Sequence, residues 1–425
     1  MEKDILKQII FEQQQTTSQN TIERFIDEEL ISCSEILIIS GIRRCGKSTL
    51  LQQIRNARQE KDFYINFDDE RLIHFTVDDF QKLHEVLIEI FGEQTTFYFD
   101  EIQNIAGWER FVRRLYDSGN KVFITGSNAH LLSKELGTHL TGRYIQIELY
   151  PFSFKEFLQY TQVHITEKDL YTTAGKARIT TAFMEYIQRG GFPQYIQNKQ
   201  DDYIKTVYQN IVYRDIMVRN NITNERQIIE LTHYLASTVS TLSSFNSLRK
   251  IIGVKNAGTV ASYIQYISDT YLLFQIQKFD YSLKKQIQNP KKTYFIDTAI
   301  VQKISFTFSE NVGRLLENIV FIELKRRNKQ VFYHSQKYEC DFVILEGTVI
   351  TEAIQVSYSI EDEQTKQREI RGLRDAMETY SLTHGTILTM HTEGSIHEAW
   401  GAVEIVPVWK WLVVFSQSRK VAKKL

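Results

Sequence analysis

The stretch "SGIRRCGKSTLL", residues 40–51, follows the apolar run 36–39 and contains the pattern G-x-x-x-x-G-K-[ST]. Its two glycines let backbone N–H groups curl around a phosphate without Cβ clashes. The helix expected from Lys47 onward points the positive end of its dipole at the same anion. We therefore predict a phosphate loop at residues 41–48, between a buried strand and a helix.

Each residue type in the loop has a chemical role in this pattern. Lys47 would contact the β- and γ-phosphates, and the Ser48 hydroxyl would hold Mg²⁺. Arg43 and Arg44 add positive charge beside the phosphates, although a surface position is favoured for at least one of them. The candidate nucleotide-binding residues are Gly41, Arg43, Arg44, Cys45, Gly46, Lys47, Ser48 and Thr49.

A pair of carboxylates follows a later apolar run. Phe97, Tyr98 and Phe99 fit a strand that is buried on both faces, and Asp100 and Glu101 come directly after it. We predict that Asp100 holds a water of the Mg²⁺ shell. Glu101 would be the general base that polarises the attacking water.

Two more polar positions complete the predicted catalytic set. Asn128, which follows the next apolar run, would sense the nucleotide state, with Ser127 and Thr125 as alternatives; the same residues also suit an ordinary turn. Arg143 precedes the strand expected at 144–149 and is the candidate arginine finger, in its own subunit or in a neighbour. The alternative for Arg143 is a structural ion pair.

Apolar runs and helical stretches alternate through the first 150 residues. The expected strands are 36–39, 63–67, 97–99, 122–125 and 144–149. This alternation predicts a parallel sheet whose ligand lies at the carboxyl ends of its strands. The expected fold class is α/β, with a parallel five-stranded P-loop core, and every candidate named above is expected at that edge.

Composition restricts the choice of partners. The chain has 425 residues, with 51 basic and 52 acidic side chains and a formal net charge of −1, so no global field attracts it to nucleic acid or membrane. Basic clusters in the C-terminal half leave DNA or RNA binding open. Three cysteines without CxxC spacing indicate reduced thiols. Without a signal peptide or an apolar run of ~18 residues, we expect a cytoplasmic protein with no membrane span.

The order of the motifs resembles a known family. The segments are "GIRRCGKSTLL", "YFDEIQNIAGWE", "ITGSNAHLLS", "LTGRY", "LYPFSFKEFL" and "RGGFPQY". Together they resemble the prokaryotic AAA-type ATPases that carry a C-terminal restriction-endonuclease-like domain. The motif positions carried over are Gly41, Gly46, Lys47, Ser48, Asp100, Glu101 and Arg143.

The resemblance implies a domain organisation and a set of ligands. The implied domains are an AAA-type ATPase core (1–150), a helical lid (151–227), a winged-helix-like domain (228–305) and a nuclease-like domain (306–425). ATP and ADP are the implied nucleotides and Mg²⁺ the implied metal. An arginine finger acting in trans would require a homo-oligomer.

The last third of the chain carries an incomplete nuclease motif. Glu317 on an expected helix, with Asp341 and Gln355 on expected strands, resembles the PD-(D/E)xK pattern, in which acids bind Mg²⁺ and a lysine helps to activate water. Ser357 stands where that lysine is expected, and the next lysine, Lys366, lies in a predicted helix. We expect an inactive nuclease-like domain; the alternative is a pair of surface carboxylates on an unrelated α/β fold.

Two classes of function stay open, and in both the nucleotide state moves the C-terminal domains. The first is an ATPase that holds nucleic acid through its nuclease-like domain and a basic wing at Lys284, Lys285, Lys291 and Lys292. The second is a nucleotide-switched module whose C-terminal half binds a protein. An ATP-dependent nuclease is a third alternative.

Overall fold

The computed structural model describes residues 1–14, 21–24, 26, 28–58, 61–127, 140–306 and 312–414. The chain divides after Tyr150 into two units. The first consists of residues 1–150 and the short segment Asp269–Tyr271, and the second of residues 151–268 and the chain from Leu272 onward. Within the described ranges, no helix has both the length and the apolar character that crossing a bilayer requires.

A parallel five-stranded sheet organises the first unit. Its strands are β1 (Ile36–Ser40), β2 (Phe63–Asn66), β3 (Thr96–Asp100), β4 (Lys121–Gly126) and β5 (Tyr144–Glu148). They lie in the order β2-β3-β4-β1-β5, and every pairing between neighbours is parallel. The predicted parallel five-stranded core is therefore confirmed.

Helices cover this sheet with apolar faces that the sequence pattern encodes. They are α1 (Lys3–Gln14), α2 (Glu28–Ser32), α3 (Lys47–Arg58), α4 (Phe80–Phe91) and α5 (Trp108–Asp117). In α5, Trp108, Phe111, Val112 and Leu115 recur at helical spacing and are all buried. Strands β1 and β3 are buried at every position, as central strands of a covered parallel sheet must be.

The second unit begins with helices and a small antiparallel sheet. The helices are α6 (Phe154–Tyr160), α7 (Thr173–Arg189), α8 (Pro193–Asn198), α9 (Asp201–Asn210), a π-helical continuation (Ile211–Val218), α10 (Glu225–Ser237), α11 (Phe245–Ile251), α12 (Ala257–Asp269), α13 (Leu283–Gln288) and α14 (Thr298–Ile304). The strands are β6 (Leu242–Ser243), β7 (Leu273–Ile276) and β8 (Lys291–Phe295), in the order β6-β8-β7. Lys284 and Lys285 lie in α13, between the antiparallel partners β7 and β8.

A six-stranded mixed sheet completes the second unit. Its strands are β9 (Gln330–Ser335), β10 (Glu339–Glu346), β11 (Val349–Ser357), β12 (His384–Thr389), β13 (Gly394–Glu398) and β14 (Gly401–Pro407). The helices are α15 (Val312–Arg326), α16 (Glu363–Tyr380) and α17 (Val408–Val414). The order is β13-β14-β12-β11-β10-β9, in which β9, β10 and β11 are antiparallel and α16 connects β11 to the parallel strand β12.

Helix α16 is positioned by its ends and by one close contact. It begins after Asp362, whose carboxylate accepts a hydrogen bond from the Thr365 N–H at 2.8 Å. Leu373 and Met377 bury its apolar face in the core of the six-stranded sheet. At Gly372 the helix approaches β10 so closely that a Cβ atom would lie 2.0 Å from the carbonyl oxygen of Glu339.

We expect Gly372→Ala to lower the free energy of unfolding of the second unit by about 1–3 kcal/mol, because the added methyl group must push α16 away from β10. Urea unfolding followed by circular dichroism measures this change. Gly394→Ala is the matched control, since nothing lies within 4 Å of the position that its Cβ would take. Equal unfolding midpoints for the two variants would contradict the close contact.

Candidate functional site

The loop after β1 is shaped by two glycines. Gly41 has φ +150° and a Cβ atom there would lie 2.1 Å from the carbonyl oxygen of Leu149, so a side chain cannot be accommodated. Gly46 has φ +103°, which also favours glycine. Cys45 between them is fully buried, and burial raises the pKa of its thiol. The Arg43 side chain is half-buried, whereas Arg44 is exposed and adopts a left-handed conformation.

Lys47 begins α3 and is held below the loop. Only 4% of the residue is exposed, its Nζ donates to the carbonyl oxygen of Ile42 at 3.2 Å, and it lies 3.5 Å from Oε1 of Glu101. Burial alone would lower the pKa of Lys47, but the charges of Glu101 and Asp100 outweigh it and the pKa is raised. The ammonium is therefore charged at neutral pH and points toward the space enclosed by the loop.

Asp100 ends β3 with both carboxylate oxygens bonded. Its Oδ1 accepts from the Ser48 hydroxyl at 3.0 Å and from the Thr125 hydroxyl, and its Oδ2 accepts from the Tyr64 hydroxyl at 3.4 Å. The residue is 1% exposed, and this burial raises the pKa of its carboxyl group. A hydroxyl and a carboxylate at this separation match the hard oxygen ligands that Mg²⁺ prefers.

Glu101 follows in a left-handed conformation with φ 52°, which turns its side chain away from the path of β3. Its N–H donates to the Thr125 hydroxyl at 2.9 Å, and its Oε2 accepts from Ser127 at 3.2 Å and from Gln103. Burial tends to raise the pKa of Glu101, but the charge of Lys47 and these hydrogen bonds outweigh it and the pKa is lowered. Glu101 thus has a lowered pKa, whereas burial raises the pKa of its neighbour Asp100.

The structure brings four predicted residues together at the carboxyl edge of the sheet: Lys47, Ser48, Asp100 and Glu101. Thr49 lies one residue further along α3 and is half-buried. The alternatives for the sensor, Thr125 and Ser127, bond to the two carboxylates. Asn128 lies outside the described residues.

Arg143 lies at the opposite edge of the sheet. Its carbonyl oxygen accepts from the N–H of Ile36, the first residue of β1, at 2.9 Å. The five residues of β1 separate that edge from the phosphate loop by roughly 16 Å. The expectation that every candidate lies at the carboxyl edge is therefore wrong for Arg143, and in its own chain the loop is out of its reach.

The contacts of Arg143 match the ion-pair alternative. Its Nε lies 3.0 Å from Oδ1 of Asp117. The pair is partly exposed, which limits its contribution to stability to about 1 kcal/mol or less. Action on the loop of a neighbouring subunit stays a prediction.

Two site residues were missed from the sequence. Arg24 is 9% exposed and donates to the carbonyl oxygens of Cys45 at 3.0 Å and Tyr150 at 2.6 Å, so it joins the phosphate loop to the chain after β5. No motif marks this arginine. Gln103 sits on a single 3₁₀ turn, Ile102–Asn104, which returns its amide to Glu101. A polar residue two positions after the carboxylate pair was the available signal.

A second cluster of charged side chains lies in the second unit, around a buried lysine. Lys292, Glu317, Glu339 and Asp341 form it, and we call it the Lys292 cluster. Lys292 is 2% exposed, so it does not belong to the basic surface predicted for the wing. Glu339, the first residue of β10, is exposed and contacts the Lys292 ammonium from the solvent side. Lys366 lies instead on α16, 4.0 Å from Glu363.

The predicted nuclease-like residues Glu317, Asp341 and Gln355 are brought together here. The Nζ of Lys292 lies 3.2 Å from Glu317 and 2.8 Å from Asp341, and the amide oxygen of Gln355 accepts from the Asp341 N–H at 3.1 Å. Burial and the charge of Asp341 raise the pKa of Glu317 to about 7, against the opposing effect of Lys292. Both carboxylates are buried, which overturns the alternative of surface acids.

Comparison with known proteins defines the class of the first unit. The family model of the AAA domain matches residues 34–158, and that of a domain of unknown function matches residues 180–311. The first match covers the loop, all five strands and both site carboxylates. Together with the parallel sheet, it identifies an AAA-type P-loop domain of the nucleotide-binding class.

Similarity to a curated protein extends over nearly the whole chain. The uncharacterized protein MJ1544 of Methanocaldococcus jannaschii is 37% identical over 414 residues, which cover 93% of this chain and 91% of MJ1544. This chain belongs to the same family as MJ1544. An uncharacterized protein of Haemophilus influenzae is 28% identical over 394 residues, covering 89% of this chain and 94% of that protein.

Solved structures give weaker matches. The Holliday junction branch migration motor RuvB of Thermotoga maritima is 15% identical and covers 57% of this chain and 82% of its own, with a TM-score of 0.29. AMPPCP-bound DnaA from Aquifex aeolicus is 16% identical, covers 57% and 84%, and has a TM-score of 0.23. Scores this low support no conclusion beyond the match of the AAA domain.

We expect Arg24→Ala to weaken nucleotide binding about tenfold, because the loop loses a charged hydrogen bond at the Cys45 carbonyl. Titration with a fluorescent ATP analogue measures the affinity. Arg110→Ala is the matched control, since this arginine is exposed on α5 in the same unit. Unchanged affinity in Arg24→Ala would show that the loop holds its shape without this brace.

Proposed function

We propose that the chain binds ATP with Mg²⁺ and hydrolyses it at the carboxyl edge of the five-stranded sheet. The main supporting observation is that a lysine, a hydroxyl and two carboxylates lie close together. Ser48 lies 3.0 Å from Asp100, and Lys47 lies 3.5 Å from Glu101. The proposal is supported by the match of the AAA domain over residues 34–158.

Ser48 and Asp100 are the proposed metal-holding residues. Their oxygens are hard ligands of the kind Mg²⁺ takes, and Mg²⁺ commonly uses one or two protein oxygens together with phosphate oxygens and water. When bound, Mg²⁺ would neutralise charge on the β- and γ-phosphates. Thr125 orients Asp100 for this task, because its hydroxyl bonds to the same oxygen that Ser48 approaches.

Glu101 is the proposed general base. Ser127 and Gln103 hold its Oε2, which orients the carboxylate, and its lowered pKa keeps it ionised. The carboxylate would take a proton from water as the water oxygen bonds to the γ-phosphorus. The bond from that phosphorus to the bridging oxygen would break, releasing ADP and phosphate, while Lys47 would balance the charge that develops on the phosphoryl oxygens.

Paired substitutions separate binding from hydrolysis. Lys47→Ala should remove most ATP affinity and abolish turnover, because the phosphates lose the buried ammonium. Glu101→Gln should keep ATP bound while slowing hydrolysis about 10²- to 10⁴-fold, since the amide cannot accept the proton. Phosphate release and equilibrium binding of ATP measure the two effects.

Lys3→Ala provides the control for these variants, because this lysine forms a surface pair with Glu85 in the same unit. It should match the wild type in both assays. Wild-type turnover in Glu101→Gln would refute the assignment of the base. Failure of the wild-type chain to bind ATP with Mg²⁺ would refute the function as a whole.

We further propose that the nucleotide state moves the C-terminal domains through residues 269–271. Tyr271 is 3% exposed within the first unit and has φ 63°. The amide of Gln146 donates to the hydroxyls of Tyr271 at 3.3 Å and Ser40 at 2.8 Å, and Ser40 directly precedes Gly41. A change in the loop would thus reach the chain that continues into β7.

The element order supports the proposed lid, winged-helix and nuclease-like divisions of the C-terminal part. Helices α11 and α12 accompany the three-stranded sheet, as a winged helix would require. From α15 to β12, the chain forms a helix, three antiparallel strands, a helix and a parallel strand. An arginine finger at Arg143 would then require a homo-oligomer, because its own loop is out of reach.

A second candidate for the C-terminal part is binding of a protein. Helix α13 has no buried residue, and Tyr281, Leu283 and Ile287 expose large apolar side chains along this connection. Exposed apolar residues close together are typical of protein contacts. Lys284 and Lys285 on the same helix favour nucleic acid instead.

Salt dependence distinguishes these partners. If the wing binds nucleic acid, the affinity of the chain for labelled DNA or RNA should fall steeply between 50 and 200 mM salt, by roughly an order of magnitude or more. Lys284→Glu with Lys285→Glu should abolish it, and fluorescence anisotropy measures both. If the chain binds neither DNA nor RNA in 50 mM salt, binding of a protein would be the favoured function of the C-terminal part.

A further inference from the structure

Lys292 supplies a cation that the local sequence motif lacks. It lies on β8, and its Nζ lies 2.8 Å from Oδ1 of Asp341, 2.8 Å from Oε1 of Glu339 and 3.2 Å from Oε1 of Glu317. Ser357, at the position where the motif expects lysine, donates to the carbonyl oxygen of Ser359 at 3.0 Å. The positive charge that the motif lacks is therefore supplied by Lys292, a residue of another sheet.

The other polar atoms around the cluster are also bonded. Oδ2 of Asp341 accepts from the Val356 N–H at 2.9 Å, and Oε1 of Glu317 accepts from the Tyr294 hydroxyl at 2.7 Å. The amide oxygen of Gln355 accepts from the N–H of Asp341, while its amide nitrogen donates to Glu369 at 2.6 Å. Both oxygens of Asp341 and Oε1 of Glu317 are thus engaged by protein donors.

A nuclease-like fold implies a divalent cation held by Glu317, Asp341 and Gln355, and the residues present do not fit one. Mg²⁺ requires near-octahedral oxygens at about 2.0–2.1 Å and keeps several waters. Here the position between the carboxylates belongs to the ammonium, and all three side chains are buried. Across the described residues, no group of three or more His, Cys, Asp or Glu side chains is arranged to hold a metal.

We propose that the Lys292 ammonium is the resident cation of this site, in the place of a metal. The Lys292 cluster would then be an internal ion network that fastens β8 to α15 and β10 and does not cleave phosphodiesters. The inference uses the proposed nuclease-like fold only to identify the divalent cation whose place the ammonium takes. It does not depend on ATP hydrolysis in the first unit.

Removing the Lys292 ammonium should allow the carboxylates of the cluster to bind a metal ion. Without Lys292, Glu317 and Asp341 would be two buried carboxylates lacking their main counter-charge, which is strongly unfavourable. A divalent cation could then relieve the repulsion. The structure thus predicts that loss of one lysine creates a metal site, whereas loss of a catalytic lysine would leave an existing metal site in place.

Counting bound Mn²⁺ tests this inference. Electron paramagnetic resonance of free Mn²⁺ gives the number of ions bound to the nucleotide-free full chain, and Ser48 and Asp100 contribute equally in all variants. We expect Lys292→Met to bind one more Mn²⁺ per chain than the wild type. Asp341→Asn added to that variant should remove the extra ion. Lys205→Met is the matched control, because this lysine is exposed on α9 in the same unit, and it should bind as the wild type does.

A single comparison decides the matter if Lys292→Met fails to fold. Glu317→Gln in the wild-type background should leave the Mn²⁺ count unchanged, since a site held by Lys292 binds no metal to lose. A lower count in Glu317→Gln would overturn the inference. So would a folded Lys292→Met variant with no extra ion, or Mg²⁺-dependent DNA cleavage by the wild type that Asp341→Asn abolishes.

Discussion

A buried ammonium among carboxylates is the constraint on which both units depend. Removing a charge from water costs several kcal/mol unless a partner of opposite sign and good geometry accompanies it. Lys47 meets this requirement with Glu101 and the Ile42 carbonyl, and Lys292 meets it with three carboxylates. In each unit the lysine is paired with acids that other elements of the fold position.

The two lysines differ in how tightly they are held. Lys47 lies 3.5 Å from its carboxylate partner, a long contact that phosphate oxygens could replace. Lys292 has contacts of 2.8–3.2 Å to three acids, of which Asp341 also accepts from the backbone and Glu317 from Tyr294. The contacts of Lys47 can therefore be exchanged for those of a ligand, whereas the contacts of Lys292 suit a permanent structural role.

The sequence was informative where a short pattern carries its own geometry. The phosphate-loop pattern placed Lys47 and Ser48, and an apolar run placed Asp100 and Glu101 at the end of a strand, because parallel strands end at one edge. Roles for these residues stay predictions. The pattern for Arg143 was misread, since a residue that precedes a parallel strand lies at the opposite edge.

Lys292 shows why the rest could not be predicted. It is 25 residues from Glu317 and 49 from Asp341, and it belongs to a different sheet, so no motif spacing connects them. The same distance along the chain determines the order in which Lys292 and its acidic partners are made on the ribosome. Strand β8 emerges before α15 and β10, which carry the acids that compensate its lysine, so Lys292 can be paired only after those elements have been made. The predicted boundary at residue 306 thus lies between stretches of sequence that are joined through the Lys292 cluster.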